Sequence, residues 1–300
     1  TEQLTIPGCF HDVCSAVHPM AAGSFVMNAW PLEKFGLNWL HPRIPLAHPI
    51  PSGQTGVLYR SVDETAEAMN SPRYARVMRP FVSQWAELFR DAMGPLGVPS
   101  HPLLMARFGL HAMKSAHALG RQLFSDETGE TLFSGVAAHS FLPMEQRPSA
   151  AIGLMLSIAA HGVGWPSPEG GAQRLSDAMA QYFLSLGGTI RTGAHIHHLS
   201  EVETHGPVLF DTAPNGMAKI CGTELPDRYR AALAKFRHGP GVFKVDWALS
   251  EPIPWSDATV AHAGTVHLGT LDEIRRSERL TWQGEHTARP YVLLAQPTQF

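Results

Sequence analysis

The stretch PEGGAQRLSDAMAQYFLSLGGTIRTGAHI, residues 168–196, reads as a Gly-Gly turn, an amphipathic helix, a second Gly-Gly turn and a strand. Apolar residues recur in it every three or four positions, which places them on one side of a helix. Gly187 and Gly188 supply a left-handed turn of the kind that commonly ends a helix. This order is typical of an element beside a dinucleotide, and it also occurs in plain helix–strand packing. The helix-face residues are Ala172, Leu175, Ala178, Met179, Tyr182, Phe183 and Leu186.

Composition limits the classes of protein that the chain can form. The 300 residues, 44% of them apolar, suit one large domain or two interleaved smaller ones. The net charge of -3, without a run of Lys or Arg, gives no reason to expect a nucleic-acid partner. Three cysteines make a disulfide framework unlikely, and no signal peptide is visible, so we expect a cytoplasmic protein. The apolar run at 150–165 is short for a membrane span and predicts a buried helix.

The pattern along the chain predicts a mixed α/β fold. Residues 63–164 are helical in pattern, with Ser71-Pro72 as a helix start followed by periodic apolar residues from Val77 to Met93. A short helix is expected within residues 10–22. Strands are predicted at 37–42, 55–60, 188–192, 194–199, 207–212, 241–249, 264–268 and 291–296, and further helices near 171–186, 225–236 and 270–284.

Several stretches together carry a family resemblance. They are EQLTIPGCF (2–10), HDVCSAVHP (11–19), AAHSFLP (137–143), AAHGVGWP (159–166), the stretch 168–196, VLFDTAP (208–214) and GVFKVDWALSEPIPW (241–255). Their order resembles the flavin-dependent superfamily of amine oxidases and phytoene desaturases, and phytoene-dehydrogenase-like proteins in particular, including the pyridine nucleotide-disulphide oxidoreductase domain-containing type. The resemblance covers nearly the whole chain.

The resemblance implies a glutathione-reductase-like FAD-binding domain interleaved with a substrate domain of mixed sheet and helices. Residues 1–62 and 224–300 would belong to the substrate domain, 63–164 to a helical substrate-side segment and 165–223 to the FAD-binding domain. In the family a GxGxxG unit holds the FAD pyrophosphate, and this sequence has no GxGxxG and no C-terminal flavin segment. Both ends look cut, so we expect a fragment that binds FAD weakly or not at all.

The resemblance also assigns cofactor contacts. Gly170 and Gly171 match a Gly-Gly pair that permits close approach to the cofactor or substrate. Ile196 matches a position whose backbone faces the adenine end of FAD. The turn formed by Thr212, Ala213 and Pro214 matches one near the ribose and pyrophosphate. Without the resemblance, the last two groups would be ordinary strand ends.

Lys244 is the candidate catalytic residue. It matches the amine-oxidase lysine that holds a water against the flavin, where a desolvated amine can transfer protons. The alternative is a lysine that reaches solvent or pairs with Asp246. His139 and His161 are candidate polar groups of a substrate pocket, or else hydrogen-bonded core histidines. His195 and His197 have metal-ligand spacing on a strand, but no further ligands stand at a telling spacing, so we expect no metal.

The function implied is hydride transfer from an apolar or amine-like small molecule to FAD. The alternative is a non-catalytic lipid- or partner-binding protein on the same fold, similar to Rab GDP-dissociation inhibitors. No nucleophile elbow or Walker loop is present, which disfavours a hydrolase or an NTPase. The helical segment could make peripheral membrane contact, and an unpaired strand edge could lead to a homodimer.

Overall fold

The computed structural model describes residues 1–204 and 206–299, with residue 299 described by its backbone alone. Residues 205 and 300 lie outside the described residues. Residue 205 falls within the expected FAD-binding segment 165–223, and residue 300 falls within the expected substrate-domain segment 224–300. The fold is of the mixed α/β class. The helices are α1 Pro19–Ala22, α2 Phe25–Ala29, α3 Val62–Ala68, α4 Pro72–Val82, α5 Trp85–Met93, α6 Pro102–Ala112, α7 Ala116–Leu123, α8 Glu127–Ala137, α9 Ala150–Gly162, α10 Gln173–Ser185, α11 Pro214–Cys221, α12 Asp227–Leu233 and α13 Leu271–Gln283.

The strands form two sheets from distant parts of the chain. They are β1 Trp39–Leu40, β2 Ile44–Pro49, β3 Thr55–Leu58, β4 Ser167–Pro168, β5 Ala263–Leu268 and β6 Val292–Ala295. The larger sheet has the order β3-β2-β5-β6, in which β2 and β5 are parallel and the outer pairs are antiparallel. The smaller sheet pairs β1 with β4. The larger sheet therefore joins residues near 50 to residues near 265 across most of the chain.

The inner strand β2 was not predicted, because its sequence IPLAHP carries two prolines that normally interrupt a sheet. Pro45 precedes Leu46, where the antiparallel pairing with β3 begins, and Pro49 is the last residue of the strand. Both prolines therefore stand at the margins of the β2–β3 ladder, where a missing amide hydrogen costs least, although Pro45 lies inside the ladder with β5.

Helices α3 to α9 form one layer that packs on the sheet through α8. Four of these helices begin with a side-chain cap, as the Ser71-Pro72 pattern predicts for α4. The predicted periodic run from Val77 to Met93 is divided at Ser83 and Gln84, after Pro80 has weakened the last turn of α4. The buried helix predicted at 150–165 is α9, which crosses the centre of the layer. The capping residues are Ser61, Ser71, Ser115 and Asp126.

Helix α10 is the helix predicted from the opening stretch, and Gly187 follows it with φ of 87° as expected. Its apolar side packs on residues 30–39 through Ala178 and Tyr182, whose ring lies 6.1 Å from Trp30. Phe183 and Leu186 of the predicted face remain exposed. The helix predicted within 10–22 is shorter than expected and is confined to α1.

Residues 187–259 differ most from the prediction. The strands predicted at 188–192, 194–199, 207–212 and 241–249 are absent from the described residues, and these segments are irregular. Their alternating apolar residues are strand-like, but a strand needs a hydrogen-bonded neighbour, and the described residues supply none. Cys221 is the only buried residue among those described in this region.

Among the described residues, no helix has both the length and the apolar character needed to cross a bilayer.

Candidate functional site

Three histidines meet between the sheet and α8. His48 lies on β2, His267 lies on β5, and His139 follows α8. The parallel register pairs Leu46 with Thr265, so two residues further on both strands direct a histidine toward α8. The ring centroids of His48 and His267 are 6.1 Å apart, and those of His139 and His267 are 5.3 Å apart. We call these residues the histidine cluster.

Hydrogen bonds orient the rings of the histidine cluster. His48 Nε2 donates to the carbonyl oxygen of Gly269 over 2.8 Å. In the neutral ring His48 Nδ1 then carries no hydrogen and can only accept a hydrogen bond. His139 Nε2 and His267 Nε2 are 3.3 Å apart, so one donates to the other. His267 Nδ1 is buried and has no hydrogen-bond partner among the described residues, so a hydrogen on it would be unpaired. We therefore place the hydrogen of His267 on Nε2, which makes His267 the donor to His139. Both His48 Nδ1 and His267 Nδ1 are then acceptors without a hydrogen-bond partner among the described residues.

Gly135 of α8 makes room for these two nitrogens. A Cβ at this position would lie 2.8 Å from His267 Nδ1 and 2.9 Å from His48 Nδ1, which is closer than a side-chain carbon normally approaches. Tyr291 donates from its hydroxyl to the carbonyl oxygen of Gly135 over 2.8 Å. The absence of a side chain at Gly135 therefore permits the helix and the two histidines to pack together.

The histidine cluster is uncharged at neutral pH. Burial lowers the pKa of His48 to about 4, against the opposing effect of its hydrogen bond to Gly269. Burial also lowers the pKa of His139 to about 4. The pKa of His267 lies well below its usual value because of burial and then because of its two histidine neighbours. Neutral imidazoles can accept or pass on a proton without a fixed charge.

A phenol, Tyr291, adjoins the histidine cluster, and an acid, Glu278, lies near that phenol. Glu278 on α13 is buried, its Oε2 has no hydrogen-bond partner among the described residues, and burial raises its pKa to about 7. The pKa of Tyr291 is raised well above its usual value by burial and then by the charge of Glu278. The Tyr291 ring lies 5.4 Å from that of His267. Perturbed titratable groups that gather in this way indicate a candidate functional site.

His139 is the partly exposed member of the histidine cluster, so a molecule could reach the cluster on its side. Its ring lies 6.2 Å from that of the buried Trp165. Phe141, two residues further on, has φ of 55°, a left-handed conformation that costs a bulky residue roughly 1–2 kcal/mol. Strain of this kind beside the exposed edge is typical of a functional site.

His161 is not part of the histidine cluster. Its Nδ1 donates to the carbonyl oxygen of Arg60 over 3.0 Å, and its Nε2 accepts from the Tyr74 hydroxyl over 2.7 Å. Burial lowers its pKa to about 4. Both nitrogens have protein partners, which is the arrangement of a hydrogen-bonded core histidine.

Gly170 and Gly171 have positive φ and precede α10. The space beside Gly171 is filled, because a Cβ there would lie 2.5 Å from Thr1 Oγ1 and 2.9 Å from Asp12 Oδ1. Asp12 Oδ1 also accepts from the Ala172 amide over 2.8 Å. The N-terminus of α10, which could bind an anion, is therefore already bound to a carboxylate of the same chain.

Lys244 donates a hydrogen bond to Asp246 and forms an ion pair with it. This pairing is the alternative raised by the sequence. Asp246 Oδ1 also lies 3.7 Å from His11 Nδ1. Lys244 is thus connected through Asp246 to the segment that contacts Gly171, but the lysine itself makes no hydrogen bond or ion pair to Gly171 among the described residues.

The remaining assigned contacts lie in irregular segments. Ile196 is half-buried, Thr212 and Ala213 are exposed, and Pro214 begins α11. Gly171 faces Thr1 and Asp12, and Thr212 and Ala213 of the turn are open to solvent. The contacts that the resemblance assigns to FAD therefore stay a prediction.

His195 and His197, the pair with metal-ligand spacing, have ring centroids 4.5 Å apart. No group of three or more His, Cys, Asp or Glu side chains in the described part of the chain is arranged to hold a metal ion.

Sequence reasoning selected His139 but missed His48, His267 and Glu278. His48 is two residues after Leu46, and His267 is two residues after Thr265, so each histidine shares a strand face with that residue. This spacing is only a weak signal that the two histidines lie together. The pairing of β2 with β5, more than 200 residues away, could not be inferred from that signal. Glu278 lies four residues after Ile274, on the same side of α13, but a carboxylate is not expected in a core and only the packing of α13 shows that it is buried.

No protein-family model matches the chain, and no curated protein matches it.

Proposed function

We propose that the chain belongs to a flavin-dependent oxidoreductase of the phytoene-dehydrogenase-like kind and forms mainly its substrate side. The observation that carries the proposal is the sheet that joins β2 and β3 to β5 and β6 around the region 170–258. An interleaved chain of this kind is what the family resemblance implies. The well-packed elements come from 17–168 and 255–296, while the intervening segments assigned to the cofactor are mostly exposed.

The proposed substrate is an apolar or amine-like small molecule. Removing a hydride from such a molecule generally requires a group that takes up a proton or holds the substrate in place. His139 suits the second role, because it is neutral, partly exposed and oriented by His267. The hydrogen bond that it accepts from His267 leaves its Nδ1–H to donate to a substrate. Trp165 supplies an apolar wall next to its ring. We therefore assign His139 as the substrate-facing residue and His267 as the residue that positions it.

FAD, when bound, would accept the hydride. The proposal requires a dinucleotide-binding unit that these 300 residues do not contain, because they include no GxGxxG. The 300-residue chain alone should accordingly bind FAD weakly or not at all. A segment that packs along 187–259 could complete the cofactor side and bury the apolar residues that are exposed there.

The test is the flavin content of the native protein. It is isolated from its own cells with an antibody raised against α13, and the flavin released by heat is measured by fluorescence per mole of chain. We expect about one FAD per chain. A flavin-free native protein would overturn the proposal. In parallel, FAD is titrated into the 300-residue chain and into its Lys244→Ala variant, and we expect no tight binding by either.

A second candidate is the non-catalytic lipid- or partner-binding protein. The observation in its favour is that Lys244 is paired with Asp246 and that Gly171 is covered by Thr1 and Asp12. This candidate predicts a native protein without flavin whose binding activity survives the substitution His139→Ala. The flavin measurement therefore separates the two candidates.

A further inference from the structure

Helix α6 is apolar on both of its sides. Its inner side buries Leu104, Phe108 and Ala112 in the core of the helical layer. Its outer side exposes Leu103 by 86% and Leu110 by 72%. Large apolar side chains on the outer side of a surface helix are unusual, because that side is normally polar.

The exposed apolar surface continues beyond α6. Met113 follows the helix on the same side, at an exposure of 61%. The loop GPLGVPS, residues 94–100, presents Leu96 and Val98 almost completely to solvent. We call Leu96, Val98, Leu103, Leu110 and Met113 the α6 surface. Large exposed apolar patches on a folded protein mark interaction sites.

The charged residues in the part of the sequence that carries the α6 surface are all basic. Residues 92–125 contain no Asp or Glu, and their charged residues are Arg107, Lys114 and Arg121. Asp91, just before this stretch, is withdrawn from the surface, because its side chain is only 4% exposed and binds the amide and ring of His101. Arg107 lies on the exposed side of α6 between Leu103 and Leu110.

We propose that the α6 surface docks on an anionic lipid bilayer, with Leu96 and Val98 inserted among the headgroups and the exposed Arg107 facing lipid phosphates. Lys114 is half-buried and donates to Gln122, so it adds positive charge near the surface without being free to bind lipid. Apolar side chains beside basic ones are the combination that binds negatively charged membrane interfaces. The leucine and valine protrude from a loop, which suits insertion into a bilayer better than docking against a folded partner. This inference does not depend on flavin.

A second copy of the chain fits this surface less well. A two-fold dimer places the same patch on both sides of the contact. Arg107 of both copies would then lie in the same contact, and the stretch 92–125 offers no acidic residue to pair with it. Anionic lipid, in contrast, supplies the opposite charge.

Co-sedimentation with vesicles tests the proposal. The 300-residue chain is mixed with vesicles of phosphatidylcholine alone or of phosphatidylcholine with phosphatidylglycerol, at low and high salt. We expect binding to the phosphatidylglycerol vesicles, weakened by salt. The double variant Leu96→Ser/Val98→Ser should lower the partition coefficient at least tenfold, and Arg107→Gln should lower it about fivefold.

A matched control makes the same two substitutions at exposed apolar residues elsewhere. Leu209 and Val242 are 91% and 76% exposed and lie far along the chain from α6, so Leu209→Ser/Val242→Ser should leave vesicle binding unchanged. In a separate variant, Leu96→Trp, brominated lipid should quench more tryptophan fluorescence than it does in the unchanged chain, which already has seven tryptophans. No binding, equal loss in both double variants, or a dimer that the α6 substitutions dissociate without vesicle binding would overturn the proposal.

Discussion

Replacing Gly135 by alanine tests the packing of the histidine cluster. The new Cβ would lie 2.8 Å from His267 Nδ1 and 2.9 Å from His48 Nδ1, whereas ordinary contacts begin near 3.4 Å. Both rings are fully buried. His267 is held by its hydrogen bond to His139, and His48 is held by its hydrogen bond to Gly269. The rings or the helix must therefore shift by several tenths of an ångström.

The expected loss follows from two opposing effects. Overpacking of a buried site costs about 1–3 kcal/mol, and alanine in place of glycine inside a helix returns about 0.5–1 kcal/mol. Gly109→Ala in α6 is the matched control, because a Cβ there meets no atom within 4 Å and the helix-forming gain stands alone. The two variants should differ by about 1–3 kcal/mol in the free energy of unfolding.

Urea denaturation followed by circular dichroism measures this difference, and the melting temperature provides a second reading. For a chain of this size each kcal/mol corresponds to roughly 2–4 °C. The Gly135→Ala variant should melt several degrees below the Gly109→Ala variant. If the two variants are equally stable, the two imidazole nitrogens do not flank Gly135 and the described site is wrong.

Three further predictions concern stability. His48, His139 and His161 have folded pKa values of about 4 against 6.5 when unfolded, so between these values the unfolded chain binds more protons and stability falls as the pH falls. Glu278, with its pKa raised to about 7, acts in the opposite direction over part of this range. The net loss should reach up to about 3 kcal/mol per pH unit below pH 6.5, and an unchanged urea midpoint from about pH 7.5 to 5 would contradict it. Tyr74→Phe should cost about 1–3 kcal/mol, since it leaves His161 Nε2 without its donor, whereas Tyr229→Phe on the exposed side of α12 should change the urea midpoint little. Thr270→Ala should cost about 1 kcal/mol by removing the capping box with Glu273 at the start of α13, and an unshifted melting temperature would show that this cap contributes nothing.

The local elements were largely predictable from the sequence. Helix α10 and the turn at Gly187 follow from apolar spacing and from the φ that glycine permits. Helix α4 begins at Ser71-Pro72, because the serine oxygen and the proline ring suit those two positions. Such signals act within a few residues of chain, so they can be read without knowledge of the tertiary structure.

Pairing between distant segments was not predictable. The stretch 241–249 alternates like a strand yet remains irregular, while IPLAHP with its two prolines is an inner strand. The difference lies in the partner, since β2 has β3 and β5 beside it and 241–249 has no strand partner among the described residues. Hydrogen bonding across a sheet depends on the neighbour as much as on the strand itself.

The candidate site shows the same division between local pattern and tertiary structure. The sequence determined that His139 follows an apolar helix and that the chain has a mixed α/β pattern. Only the tertiary structure decided that His48 and His267 join His139, because the register of β2 against β5 and the missing side chain at Gly135 bring the three rings together. Burial, which also arises only from that packing, is what holds these histidines neutral.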